Sequence, residues 1–492
     1  MQQFPRGMPP PVGCTMSNRQ RKKLASKNRG GYGRPRATPW TSSPSRANIG
    51  SLPPEVLMKI LSFLDASSLY SVGYVNKQLH AVSNSNSLWY RLYTRDCAES
   101  KRKPLMVDEV ADGLTSVAIQ EKPMGYWKRL LFRKMAGFNT DKWLKQLKVT
   151  NPYTGLPRQT EHVLRSVGVT WELTVIDMRR RQCTFKPSRV FFSESSLSLT
   201  WYNLADLASI HIHSMQLHGV VPMLFDRHTA SGRQSRSPVW RSLMAEVDMK
   251  SPNWRFLGAC QLVRMKCSRQ IPGFSLGQWR DSSPEEDQGD IVFVKMTLHF
   301  HKLVERSLLG SVTCPYMVQE PQPMFDDIDP EYGLHGYKVH LELHDMAKPI
   351  MSGHFTGLFC RRENFAGNHI NLRAISRGKK AEHTAFCDKL CLKWRSEGLD
   401  GSLEKCCVVN VTVVDETDTP VWCISTAVPA IQMTDSTSYD YGGETYSMNY
   451  VDAGGRVFMD LVWMEEMRQY FLVKFWVQLP VAKINRLYRR NY

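Results

Sequence analysis

The first fifty residues contain no aspartate or glutamate, although ten of them are lysine or arginine. Nowhere in the chain does an apolar run approach the roughly 20 residues that a membrane-spanning helix requires. The best candidate, YFLVKFWVQLPVAKI from Tyr470, is broken by Lys474, Gln478 and Pro480, so no membrane insertion is expected. The apolar core of a signal peptide is missing as well, because Met1 to Gly13 is polar and proline-rich. An intracellular protein of the cytoplasm and/or nucleus is the expectation. No C-x-x-C pair occurs among the 12 cysteines, which in a reducing compartment read as small buried hydrophobes. Asn410-Val-Thr412 matches a glycosylation acceptor that an intracellular chain would never present to that machinery. There is no Gly-x-Gly-x-x-Gly and no Walker loop, and no cofactor is expected. No internal repeat is visible, which disfavours propellers and leucine-rich horseshoes.

What is present is globular in composition, 42% hydrophobic and 22% charged, and 492 residues leave room for two to four domains. The net charge is +18, of which the first 50 residues supply +10 and the other 442 only +8. The basic character is therefore mostly a property of the N-terminal tail. Residues 1–48, rich in Pro, Gly, Ser and Arg, read as disordered. Within them Arg19-Gln-Arg21-Lys22-Lys23 has the character of a nuclear-import signal. Arg29-Gly-Gly-Tyr-Gly-Arg34 is one RGG-like unit, suited to weak nucleic-acid binding through phosphate contacts and base stacking.

The stretch SLPPEVLMKILSFLDASSLYSVGYVNKQLHAVSNSNSLWYRLY, from Ser51, organises the rest. Pro53 and Pro54 preset a helical φ and lack donors that a first turn would waste. Glu55 stands at the positive end of that helix. Val56, Leu57, Ile60, Leu61, Phe63 and Leu64 cover an arc of roughly 160° at about 100° per residue. Asp65, Ser67 and Ser68 end this helix and offer caps for the next. Leu69, Val72 and Val75 form a second short apolar face, Leu79 and Val82 a third, and Leu88, Trp89 and Leu92 open a fourth helix after Asn84 to Asn86. So few residues bury too little surface to be comfortably stable alone, so much of the arc is expected to face a partner.

The ordered set Leu52-Pro53-x-Glu55, Ile60, Phe63-Leu64, Leu69, Val75 and Leu88-Trp89 resembles the F-box, with Asn76 and Leu79 departing mildly from its usual residues. The resemblance implies docking to a Skp-type adaptor and, through it, to the cullin and RING subunits of a ubiquitin ligase. Leu52, Pro53, Glu55, Ile60, Leu64, Leu69, Val75, Leu88 and Trp89 are the adaptor-binding residues it implies. Asn151-Pro-Tyr-Thr-Gly-Leu-Pro157, the run Leu298 to Ser307, Pro330 to Gly336, Tyr450 to Val457 and Ala482 to Asn485 are similar to segments of the F-box class whose substrate domain carries no named repeat.

The remaining organisation follows from periodicity. Trp127, Leu130, Leu131, Met135 and Phe138 recur at helical spacing within 107–148, followed by Trp143, Leu144 and Leu147. Asn151 to Gly155 is turn chemistry. Beyond it, alternation marks strands at 170–177, 195–201, 291–300, 337–343, 389–394, 407–414, 456–463 and 470–477. Turn signals stand at Gly333, Asp400-Gly401, Gly442-Gly443 and Gly454-Gly455, and the acidic loop Ser282 to Gln288 reads as a divider between halves. The expected class is α+β. It comprises a disordered tail (1–48), an F-box (49–96), a helical linker (97–150) and a large, mainly antiparallel β region (151–492), with one or two barrels or sandwiches.

The pairs His211/His213, His299/His301 and His340/His344 suggest zinc only weakly, since no local residues supply the remaining ligands. Cys387 and Cys391 lack a basic cluster that would lower a thiol pKa. No metal site and no catalytic residue is expected, and the chain reads as a non-enzymatic receptor that brings unknown client proteins to the ubiquitination machinery. The alternative is an RNA-binding protein acting through the tail. A client surface is placed on the aromatic and acidic loops carrying Phe325, Tyr332, Tyr439 and Tyr441, a combination suited to a basic peptide.

Overall fold

The computed structural model describes residues 52–98, 122–135, 141–202, 211–222, 239–250, 253–280, 289–310, 334–360, 367–396, 398–434 and 441–492, with residues 49, 204, 316, 317 and 365. The basic tail, the N-terminal part of the linker and the loops carrying Phe325, Tyr332 and Tyr439 lie outside these residues. Pro53–Tyr492 is one compact unit.

Four helices open that unit: α1 (Pro54–Leu61), α2 (Ala66–Val72), α3 (Lys77–Ser83) and α4 (Asn86–Ala98). Pro53 caps α1 with φ −57° and Pro54 occupies its first turn, as two consecutive prolines dictate. The Asp65 carboxylate accepts the backbone N–H groups of Ser67 and Ser68, and Asn76 Oδ1 accepts that of Leu79 at 2.8 Å. Each such cap stabilises its helix by about 1 kcal/mol. The linker contributes α5 (Tyr126–Met135) and α6 (Asp141–Leu147), and α7 (Thr160–Val167) precedes the first strand. A left-handed Gly168, φ 72°, ends α7.

The first ten strands are β1 (Thr170–Asp177), β2 (Gln182–Phe185), β3 (Arg189–Phe192), β4 (Ser196–Trp201), β5 (Ile212–Pro222), β6 (Val239–Asp248), β7 (Trp254–Ala259), β8 (Val263–Ser268), β9 (Phe274–Trp279) and β10 (Ile291–His299). Helix α8 (Leu303–Leu309) closes this set. The next strands are β11 (Leu334–His344), β12 (Pro349–Cys360), β13 (His369–Ile375), β14 (Thr384–Ala385), β15 (Cys391–Ser396) and β16 (Leu399–Glu404). They continue with β17 (Cys406–Val414), β18 (Pro420–Pro429), β19 (Ile431–Gln432), β20 (Glu444–Asp452), β21 (Gly455–Met464) and β22 (Gln469–Pro480), closed by α9 (Val481–Tyr488).

The β region is two units of one topology. The first has sheets β2-β1-β5-β6 and β3-β4-β10-β9-β8-β7; the second has β12-β11-β17-β18 and β13-β22-β21-β20-β19. In each, a hairpin pairs with a second hairpin to form the smaller sheet, and a four-strand meander ending in a short helix builds most of the larger one. The sequence shows no repeat, because the two units fill the same strand order with different side chains. Ser282–Gln288 connects β9 to β10, neighbours in one sheet, so it divides nothing, and the boundary falls between Leu309 and Leu334. Asp400-Gly401 is likewise not a turn but part of β16, paired with β15. A Cβ at Gly401 would lie 2.2 Å from the Trp394 indole, so glycine stands there to let that ring cross the hairpin.

Each unit has its own apolar core. Tyr337, Val339, Leu341 and Leu343 of β11 and Val409, Val411 and Val413 of β17 fill the second, with Met459, Leu461, Phe475 and Val477 from its larger sheet. Leu197, Leu199 and Trp201 of β4 and Val294, Met296 and Leu298 of β10 fill the first. Apart from Lys338, the intervening residues of these four strands are buried too. The larger sheet of the first unit therefore stacks on the smaller sheet of the second, through an apolar patch that includes Phe293, Trp394 and Val408.

Candidate functional site

The wide apolar arc of α1 is used on two sides. Leu57 and Leu61 turn inward and are buried, whereas Val56, Ile60 and Phe63 face solvent, with Ile60 47% and Phe63 74% exposed. Tyr74 and Val75, at the corner between α2 and α3, join them on the surface, Val75 at 69%. The Lys59 ammonium lies 5.8 Å from the Phe63 ring centroid, so the outer face carries a cation as well as apolar groups.

Of the residues that the sequence places at the adaptor, Pro53, Glu55, Ile60 and Val75 are exposed, and Leu52 and Leu64 are half-buried. Leu69, Leu88 and Trp89 are buried in the core and hold the helices together instead of presenting a surface. The Trp89 indole N–H donates to the Ser83 carbonyl at 2.6 Å, tying α4 to the end of α3. Val56, Phe63 and Tyr74 are the exposed apolar residues missing from that set. Val56 and Phe63 stand in the apolar arc legible from the sequence, and Phe63 in the F-box set; Tyr74 is marked only by its exposure, which is a tertiary property.

Helix α5 completes this core. Leu131 and Phe132 are buried against α4, and Lys128 spans the rings of Tyr70, Trp89 and Phe132 at 5.0, 5.4 and 6.0 Å while donating to Asn84 Oδ1 at 2.8 Å. Burial pushes the Lys128 pKa down. On another side, Leu61, Leu64, Leu69, Leu88 and Leu92 line a groove of about 340 Å³ edged by Arg91 and Arg95.

The histidine pairs are structural in their surroundings. His299 Nε2 meets Thr412 Oγ1 at 2.7 Å, and His301 Nε2 meets the Gly155 carbonyl at 3.0 Å, bracing the first unit against β17 and the 151–155 turn. Gly155 needs its left-handed φ of 68°, and a Cβ there would collide with Val414 at 2.5 Å. Burial holds the His299 pKa far below its ordinary value and that of His301 down to about 4. His211, at the start of β5, is exposed. Among the described residues no three His, Cys, Asp or Glu side chains gather in a way that would hold a metal.

Glu342 of β11 sits fully buried between the units. It accepts from Ser193 Oγ at 3.2 Å, from the backbone N–H groups of Glu194 and Ser195 at 3.1 and 3.2 Å, and from Asn410 Nδ2 at 2.8 Å, with a short bond from Ser195 Oγ. Burial alone would raise its pKa, but His344 and these donors outweigh it and hold the carboxyl below its ordinary value. Lys295 is also buried, donates to the Lys393 carbonyl, and has a pKa pushed down to about 7 by burial. Buried thiols such as Cys406, raised to about 12, are poor nucleophiles.

Of the four expected client residues, only Tyr441 lies among those described. Its ring stacks on Phe471 at 6.0 Å and its hydroxyl meets His383 Nδ1.

The molecule thus joins a small helical module with an outward apolar row to a large β scaffold. Residues 49–95 match the F-box-like family. Over 449 residues the chain is 33% identical to F-box only protein 15 of Macaca fascicularis, covering 90% of this chain and 100% of that protein. With F-box only protein 15 of Homo sapiens it shares 32% identity over 462 residues, 92% of this chain and 88% of that protein. The chain belongs to the F-box only protein 15 family. A solved kievitone hydratase from Nectria haematococca aligns with a TM-score of only 0.09 at 6% identity, over 64% of this chain and 89% of that one.

Proposed function

We propose that this chain is the substrate-recognition subunit of a Skp–cullin–F-box ubiquitin ligase, acting in the cytoplasm or nucleus. The observation that carries the reading is the exposure of Val56, Ile60 and Phe63, and of Val75 at the α2–α3 corner, on a segment of F-box sequence. Large apolar side chains left this exposed beside a tightly packed core favour association with a protein partner. The adaptor covers these residues, and Leu52, Pro53 and Glu55 at the helix entry lie at their border. Leu69, Leu88 and Trp89 support the surface from beneath.

The chain itself does no bond chemistry in this reading. Holding a client at one end and the adaptor at the other makes the attack of a client lysine on the ubiquitin thioester effectively intramolecular. The β units supply the client surface, and rigid packing between them and the helices fixes the distance. Co-purification with a recombinant Skp-type adaptor tests the proposal: wild type forms a stoichiometric complex, and Ile60→Glu with Phe63→Glu abolishes it without lowering Tm. Retention of the adaptor by that double variant would overturn the assignment.

A further inference from the structure

The second β unit carries a cleft of about 920 Å³ between the β15–β16 hairpin, the turn entering β20 and the turn joining β21 to β22. Its wall is aromatic. The Trp463 and Tyr470 ring centroids are 4.7 Å apart, Tyr446 stands edge-on to Tyr470 at 5.5 Å, and Tyr441 adds a fourth ring.

Charge in this cleft is unbalanced. Two of its lining charges are neutralised from outside, Asp388 by Lys348 and Lys393 by Asp345. Glu404, Glu444, Glu465 and Glu466 form no ion pair with any described residue, and all four are exposed. Two of them are aimed by the aromatic wall. The Tyr446 hydroxyl donates to Glu444 Oε2 and the Trp463 indole N–H to Glu465 Oε2, each at 2.6 Å. Against these four carboxylates stand two ammonium groups, Lys405 and Lys389, lying 4.8 Å from the Tyr446 and 5.8 Å from the Trp463 ring centroids. The protein's own lysines thus already use these ring faces as cation seats, and the surrounding negative charge remains in excess.

We infer that this cleft is the client-recognition site and that its occupant is an arginine- or lysine-bearing peptide segment of the client. The inference rests on the receptor reading above. Tyr446 and Tyr470 are buried and back the wall, while Tyr441 and Trp463 are half-exposed; a cation over these two rings gains from the ring quadrupole, carboxylates steer it in, and an arginine side chain can bridge two carboxylates while stacking on the indole. An acidic segment would meet four like charges. The expected loop position of Tyr441 is thereby given a surrounding, on residues far from it in sequence.

The test is fluorescence anisotropy of purified full-length protein with a fluorescein-labelled octapeptide of alternating arginine and alanine, beside its glutamate–alanine counterpart. The arginine peptide should bind with an affinity that weakens as salt rises, and the glutamate peptide should bind at least tenfold more weakly. Glu404→Lys with Glu466→Lys, both exposed positions without hydrogen bonds to other described side chains, should weaken arginine-peptide binding at least tenfold with Tm unchanged. Equal binding by this double variant overturns the assignment, as does equal binding of the two peptides. A variant lacking residues 1–48 separates the remaining occupant. If arginine-peptide affinity rises tenfold on its deletion, the cleft is filled by the chain's own basic tail and not by a client. Adaptor co-purification is measured on the same variants; its loss in wild type would refute the receptor reading, while unchanged adaptor binding with lost peptide binding isolates the cleft.

Discussion

The Phe132 ring stands edge-on to the Trp89 indole, with centroids 5.4 Å apart and planes at 81°. Trp89 belongs to the F-box match, which ends at residue 95, and Phe132 to the linker helix that begins at Tyr126, so the core of the docking module includes α5. Phe132→Ala should destabilise the protein by about 3–5 kcal/mol, the usual cost of truncating a buried phenylalanine. Chemical denaturation checks it. A fragment ending near residue 100 should also be much less soluble than one ending at 135, because it leaves Trp89 and Leu88 uncovered.

The adaptor face makes a separable prediction. Val75→Glu, at an exposed corner, should cost under about 0.5 kcal/mol of stability, as surface changes do, yet reduce adaptor affinity by about 2–4 kcal/mol if it is a hot spot. Trp89→Ala should lower both together. Calorimetric titration of the adaptor into each variant, with melting curves, distinguishes them.

Acid should loosen the seam between the β units. His299, His301, His340 and His344 are all held below their ordinary pKa by burial, so the unfolded chain binds protons first as pH falls from about 6.5. Stability contributed by their neutral forms is complete above that pH and lost as pH falls toward the folded values, about 4 for His301. Glu342, also lowered, acts in the same direction at still lower pH. For His301, whose folded value is about 4, the expected loss at pH 5 is on the order of 2 kcal/mol, and the other three act in the same direction. Tm measured from pH 7 to 5 should fall, and His299→Gln should fall less steeply; a flat profile would count against the buried seam.

Glu342→Ala leaves the donors Ser193, Ser195 and Asn410 without their acceptor in a buried site. A loss of about 3–5 kcal/mol is expected from breaking such a buried charged network. Glu342→Gln should recover part of it, since an amide oxygen still accepts. Limited proteolysis should accelerate in the alanine variant while adaptor binding persists.

The Pro53-Pro54 entry, the caps at Asp65 and Asn76, and the alternating strands β1, β4, β10, β11, β17, β21 and β22 were legible because each depends on a residue's own backbone preference or on the pleat of its own strand. Strand β5 was not, since polar His213, Ser214, Gln216 and His218 interrupt its pattern. Several of these are buried, and the pattern blurs where both faces of a strand are covered. Asp400-Gly401 misled for a related reason: glycine there answers to a tryptophan across the hairpin, not to a turn.

By itself the sequence determined the F-box, the turn at Gly454-Gly455 and the mainly antiparallel β class, all of which arise from local periodicity and steric preference. Only the tertiary structure decided that Ile60 and Val75 face outward while Leu69, Leu88 and Trp89 face in. It also decided that two units share one strand order and that Tyr441 stands with Trp463 and Glu465 in one cleft. Periodicity places a side chain on a face, but which face is buried depends on elements that arrive from elsewhere in the chain.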